Sequence, residues 1–286
     1  MGWHRGADLA RTLIVAMVQA RTSHGLQSQR RGSTPWGWAA AGACVGLMLA
    51  LVVFAPARWL ASLIQLGSAS HVTLADARGT VWTGTAQLVL SGGADSQGAT
   101  ALPGRIEWRL RPAWGQLQAA VTAACCMTQA LQVQALPRWG GVRLIVADHQ
   151  SHWPASLLSG LGTPWNTVQA QGQLTLATRG LSVEWLEGRP AMSGRLQVDA
   201  LEMASRLSTL KPMGSYRLTL TGGALNTLQL DTLAGSLQLT GTGQWVGGRL
   251  RFDGIASAAP DRLEALSNLL NIIGRRDGAR SVIKVG

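Results

Sequence analysis

The side chains able to do chemistry are few and scattered along this chain. His149 and His152 form the one close histidine pair, with Asp148 beside them. A metal centre needs three or four donors, and no cysteine or further histidine lies near this trio, so neither a metal nor a cofactor is expected. Cys125 and Cys126 are adjacent. A bond between neighbours places their Cα atoms about 3.8 Å apart, below the usual disulfide range of about 4.4–6.8 Å, so it is an option in an oxidising compartment rather than the default. No serine, histidine and acid combine into a nucleophilic triad, no cysteine pairs with a histidine, and no phosphate-cradling glycine loop precedes a helix. The expectation is therefore a protein that is not an enzyme and has no catalytic residue.

Aromatic anchors are the more informative residues. In RGTVWTG, Gly79 and Gly84 bracket Val81 and Trp82, so the backbone can relax at the ends of a strand while the indole buries apolar area. In LGTPWNT, Pro164 fixes φ and Asn166 can bond its own backbone, giving a rigid turn that carries Trp165. Two readings of Trp82, Trp165 and Asn166 stand side by side. They are structural turn-and-anchor motifs, or the tryptophans are exposed contacts for a partner subunit.

The elements that must position these motifs are strands. From Arg105 to Arg111, RIEWRLR sets Arg105, Glu107, Arg109 and Arg111 on one face and Ile106, Trp108 and Leu110 on the other. Gln173–Leu176, Tyr216–Thr221, Leu228–Asp231, Leu237–Thr240 and Arg249–Asp253 repeat the alternation, with leucines inward. Glycine pairs beginning at Gly92, Gly140, Gly222 and Gly247 fall between such runs and supply turns. Short connections and a single apolar face favour antiparallel pairing. Helical patterns are confined to Pro56–Leu66, to about two turns at Pro154–Gly160, and to Asp261–Ile273, where leucines recur at helical spacing before Gly274. So the expected fold is mainly β: a single N-terminal transmembrane helix, then a one-sided, strongly twisted antiparallel sheet and a short C-terminal helix. With so little helix to cover its leucine face, the sheet either folds on itself as a β-sandwich or forms a trough that cradles acyl chains.

The transmembrane reading comes from an uncharged stretch, Gly32 to Ala57, fenced by Arg30 and Arg31 before it and Arg58 after it. Its apolar centre, Ala39–Ala55, is long enough to cross a hydrocarbon core once Gly37 and Trp38 are included, and Trp36, Trp38 and Trp59 suit the headgroup layers. Met1–Pro35 carries five arginines against Asp8, which keeps that tail in the cytoplasm. This gives three parts: a cytoplasmic basic tail at 1–35, an uncleaved signal anchor at 36–57, and an exported β-rich domain at 58–286. A cleaved signal peptide at Met1–Ala20 is the competing reading, although its apolar run, LIVAMV, is short, and Met17 is an alternative start. Lys and Arg number 25 against 14 Asp and Glu, a formal charge of +11, but no block of consecutive cations appears. Nucleic acid is therefore not an expected partner. The scattered cations either face inner-membrane phospholipid headgroups or solubilise the wet face of the sheet.

Five segments carry a family likeness. RGTVWTGTAQLVL (78–90), LPGRIEWRLRP (102–112), LGTPWNTVQAQGQLTL (161–176), KPMGSYRLTL (211–220) and LLNIIGRRDG (269–278), in this order, resemble the type II secretion system protein N family. The likeness runs from the apolar span to the C-terminus, whereas the long tail before Thr34 departs from it. The resemblance implies a single-pass inner-membrane protein with a periplasmic bulk, without catalytic activity, whose partners are other type II secretion subunits and which supports export of folded periplasmic proteins across the outer membrane. The family also looks related in architecture to AsmA-like proteins, whose curved sheets are associated with lipid handling, so the resemblance leaves lipid binding or transfer as the alternative.

Overall fold

Residues 36–93, 98–163, 165–247 and 249–286 are described by the structure, a computed structural model. The basic tail, the Met1–Ala20 segment and Pro164 lie outside the described residues. Trp36–Val53 forms helix α1, 18 residues without a charge and with a mean hydropathy of 1.9, long and apolar enough to cross a membrane. Pro56 ends this run, since the residue before a proline is pushed out of the helical region. It also starts helix α2 (Ala57–Gly67), which has Pro56 in extended conformation at its N-cap. The sequence placed this helix at Pro56–Leu66. Ala57, Leu60, Ala61 and Ile64, at helical spacing, face inward onto Leu74, Ala86 and Trp108.

Among the described residues, sixteen strands form one sheet. In chain order they are β1 (Val72–Gly79), β2 (Thr83–Ser91), β3 (Ala99–Ala101), β4 (Ile106–Ala113), β5 (Gln116–Ala123), β6 (Leu131–Arg138), β7 (Gly141–Val146), β8 (His149–Pro154), β9 (Gln171–Leu186), β10 (Arg189–Ala204), β11 (Gly214–Gly222), β12 (Thr227–Gly235), β13 (Leu237–Val246), β14 (Arg249–Ala258), β15 (Arg275–Asp277) and β16 (Arg280–Val285). The order across the sheet is β1-β2-β4-β5-β6-β7-β9-β10-β11-β12-β13-β14-β16-β15, with β3 beside β2 and β8 beside β9. Nearly every strand therefore pairs with its neighbour in sequence, as short connections demand. Every strand expected from alternation is present, most extended by a few residues at their ends. The exceptions in scale are β9 and β10, 16 residues each, where the alternation pointed only to Gln173–Leu176.

One sheet, open rather than folded on itself, settles the choice left between sandwich and open sheet. Its apolar face runs through Trp108 and Val121, which are register partners, and onward through Leu176, Val198, Leu218 and Leu230, which stand opposite one another on four successive strands. Buried clusters occupy its two flanks. At one, α2 packs on Leu74, Ala86 and Trp108. At the other, helix α4 (Leu263–Ile273), preceded by a 3₁₀ turn at Pro260–Arg262, buries Leu266, Leu269 and Leu270. Between them Leu196, Val198, Leu218, Leu220 and Leu228 are only half-buried, because the described residues include no second layer over them. A further small cluster joins Leu102, Ala123, Cys126 and Leu157, the last from the 3₁₀ helix Ala155–Leu161.

Candidate functional site

Helix ends leave carbonyls without partners, and those at the end of α1 are taken up by the RGTVWTG turn between β1 and β2. The Trp82 indole N–H donates to the Val52 carbonyl at 2.8 Å, and the Val81 N–H donates to the Ala55 carbonyl at 2.8 Å. Pro56 and Thr80 form an isolated antiparallel bridge. The turn is tied back to the sheet as well. Leu110 N–H donates to the Trp82 carbonyl at 2.6 Å, and the Trp108 indole N–H donates to the Val81 carbonyl at 3.0 Å. Gly84 leaves the room for Trp108, since a Cβ there would meet Cζ2 of that ring at 2.4 Å and the Arg78 carbonyl oxygen at 2.7 Å. Trp82 itself is half-buried, and Trp108 is the ring that enters the core, 5% exposed.

Trp165 and Asn166 stand elsewhere. They open the four-residue helix α3 (Trp165–Val168), with Trp165 41% exposed. The Asn166 N–H donates to the Gly162 carbonyl at 3.0 Å, and its side-chain oxygen accepts from the Thr167 hydroxyl at 3.2 Å. The segment is seated by its glycines: a Cβ on Gly160 would lie 2.5 Å from the Leu90 carbonyl oxygen. Trp82 precedes the first residue of β2 and Leu90 is near its last, so Trp82 and the Trp165 segment sit at opposite ends of one strand and do not form a single site.

Sequence reasoning passed over Trp114 and Trp139, which are fully exposed in the described structure. The available signal was an indole directly before a turn glycine, in AWG and RWG.

The other candidates are held by local bonds. His149 and His152 lie on strand β8 three residues apart, so the two-residue period of a strand turns them to opposite faces. His152 Nδ1 is 3.1 Å from the Thr175 hydroxyl, and the Asp148 carboxylate accepts from the Gly180 N–H at 2.6 Å. No group of three or more His, Cys, Asp or Glu able to hold a metal ion occurs among the described residues. Cys125 and Cys126 are joined by a disulfide with their Cα atoms 3.8 Å apart, and the Cys126 carbonyl accepts from the His152 N–H at 2.8 Å.

On the polar face of the sheet, Arg217 donates from Nε at 2.7 Å and Nη2 at 2.8 Å to the two carboxylate oxygens of Asp199. These hydrogen bonds hold the Asp199 carboxyl below the ordinary carboxylate range, against partial burial, with Gln197 assisting. A lowered folded value means that this pair stabilises the fold above the ordinary aspartate value near 3.9 and loses that contribution as pH falls through the folded value. Melting temperature followed from pH 6 to about pH 3 is expected to fall less steeply in Arg217→Gln than in the native chain. Because Arg217 is 40% exposed, solvent screening limits the pair to about 0.5–1 kcal/mol. Parallel curves would exclude this role for the pair.

Compared with known proteins, the chain matches a family model described as type II secretion system (T2SS), protein N, over residues 70–283. No curated protein and no solved structure matches it.

Proposed function

We propose that this chain, which belongs to the type II secretion system protein N family, is the inner-membrane, single-pass, non-catalytic member of that machine that its sequence suggests. Belonging to the family makes it a component of type II secretion. The finer reading places residues 1–35 in the cytoplasm, 36–57 in the inner membrane and 58–286 in the periplasm, and has the chain support export of folded periplasmic proteins through contacts with other secretion subunits. The observation that carries it is the coincidence of the matched region, 70–283, with the sheet and its α4 cover, β1 to β16. The matched region is thus a broad sheet surface, and in this chain it follows an apolar helix, an arrangement suited to holding partners near a membrane.

Deletion of the gene tests this reading. Secreted substrates are expected to accumulate in the periplasm, with full-length chain restoring their release and a version lacking α1 failing to do so. Alkaline phosphatase fused after Gly286 is expected to be active. Normal secretion in the deletion strain, or a fusion active only when made as a cytosolic reporter, would overturn the role or the orientation respectively.

A second reading, lipid binding or transfer, draws on the half-buried leucines between the two flanking clusters. Mass spectrometry of the purified chain separates the two. Stoichiometric phospholipid retained after detergent exchange would favour acyl chains on that face, and a lipid-free chain bound to a secretion subunit would favour the first reading.

A further inference from the structure

The end of the sheet that is bonded to Val52 and Ala55 is also the end that carries its bare tryptophans. Register fixes this. Trp82, whose turn is bonded to Val52 and Ala55, stands opposite Leu110 on β4. Three residues on, β4 turns into β5 through Trp114, with Ala113 and Gln116 paired. Leu117 of β5 pairs with Ala135 of β6, which brings the β6–β7 turn level with it, and that turn is Trp139 and Gly140 between the paired Arg138 and Gly141. Gly141 in turn pairs with Leu186, at the head of the β9–β10 hairpin, where Trp185 is 43% exposed. Four successive turns therefore point out of one end of the sheet. At a strand spacing of about 4.8 Å they form a row roughly 30 Å long.

Trp114 and Trp139 are entirely free of cover. A turn held open by a glycine at positive φ, as at Gly115 and Gly140, asks nothing of the residue before it, so a polar side chain would satisfy the fold. An indole there forfeits its large burial in water. The headgroup layer of a bilayer is the medium that indole rings prefer, with the ring apolar and its N–H wet. Arg111 and Arg138, the charges flanking these two tips, are both exposed, and neither turn contains an acid, which suits anionic lipid. The third tip adds Glu187. Trp165, at the opposite end of β2, is well under half as exposed as either indole.

We propose that this edge docks on the phospholipid surface, with Trp114 and Trp139 inserted at the headgroup level beside the point where the helix leaves the bilayer. The sheet is then held at two kinds of point, the covalent anchor and the row of tips, and stands with its strands rising from the membrane instead of swinging on one linker. The proposal rests on the single-pass reading given above.

The test uses the full chain in vesicles of phosphatidylethanolamine and phosphatidylglycerol, with and without bromine on the acyl carbons nearest the headgroups. The emission that differs between the native chain and the double variant Trp114→Phe, Trp139→Phe reports these two rings alone. Bromine is expected to quench that difference by at least about half, while the melting temperature stays unchanged because both side chains face solvent. An unquenched difference in a chain that resists alkaline carbonate extraction overturns the docking and leaves the anchor standing. A chain released by carbonate overturns both. In cells, a photoreactive residue at position 114 is expected to cross-link to lipid, and a cross-link to a protein of discrete mass would show that the edge serves a subunit instead.

Discussion

Trp108→Ala is expected to destabilise the sheet by about 3–5 kcal/mol, the usual cost of emptying a core position of an aromatic ring. The ring is 5% exposed and sits over Gly84, with Leu74, Ala86 and the inward face of α2 around it. Its removal leaves a cavity under α2 and also strips the Val81 carbonyl of the indole N–H it accepts. Trp108→Phe separates the two effects, since most of the packing remains and the lost hydrogen bond is worth about 1 kcal/mol. Gly84→Ala attacks the same contact from the other side. The new methyl would be 2.4 Å from the ring and 2.7 Å from a backbone oxygen, an overpacking that costs about 1–3 kcal/mol. Trp82→Phe, which loses only the bond to the Val52 carbonyl, should fall near the smallest of these values. Urea unfolding of the detergent-solubilised chain, followed by near-ultraviolet circular dichroism, ranks the four. A Trp108→Ala loss below that of Trp82→Phe would mean that the α2 flank is not built around this ring.

The difference between the two tryptophans is also where the sequence stopped being informative. Alternation in RIEWRLR placed Trp108 on the apolar face correctly, because a strand's two-residue period is local. Trp82 lies in a turn, where no period applies, so its bond to a helix carbonyl thirty residues earlier could not be read. The RGTVWTG motif left two readings, an indole burying apolar area or an exposed contact for a partner, and in the fold Trp82 is half-buried. The same limit explains β9 and β10. Glu187 and Gly188, both at positive φ, make a tight turn that the residue types do not advertise. The register shift between Ser193 and Arg195, opposite Ser182 and Arg179, interrupts the alternation that would have revealed the length of these strands. The C-terminal helix was legible from its leucine spacing, with its start moved from Asp261 to Leu263 by a 3₁₀ turn. An open sheet and a sandwich have identical strand patterns, and which one forms depends on contacts between distant strands. Asn166 shows the converse. Its turn chemistry was visible, but in the fold its backbone N–H closes on Gly162 as α3 begins.

Leu270→Ala carries the second large effect, about 2–5 kcal/mol, and its consequence should be confined to one flank. Leu270 is fully buried with Leu266 and Leu269, packed with Leu237 and Ala256 of the sheet. The helix is pinned at both ends by serines: Ser208 donates to the Ala265 carbonyl at 3.0 Å and Ser281 to the Leu270 carbonyl at 2.5 Å. This cluster shares no residue with the one under α2, and the leucines between them are half-buried. A single-layered sheet whose two flanking cores share no residue should open piecewise, because local stability follows buried contacts. Hydrogen exchange of Leu270→Ala is therefore expected to lose protection in β13, β14 and β16 and to keep it in β1, β2 and β4, with the reverse in Trp108→Ala. Their effects on stability should add to within about 0.5 kcal/mol, as for sites with no common partner. Equal loss of protection at both flanks in either variant would mean that the half-covered leucine face transmits stability across the whole sheet, as it would if something apolar covered it.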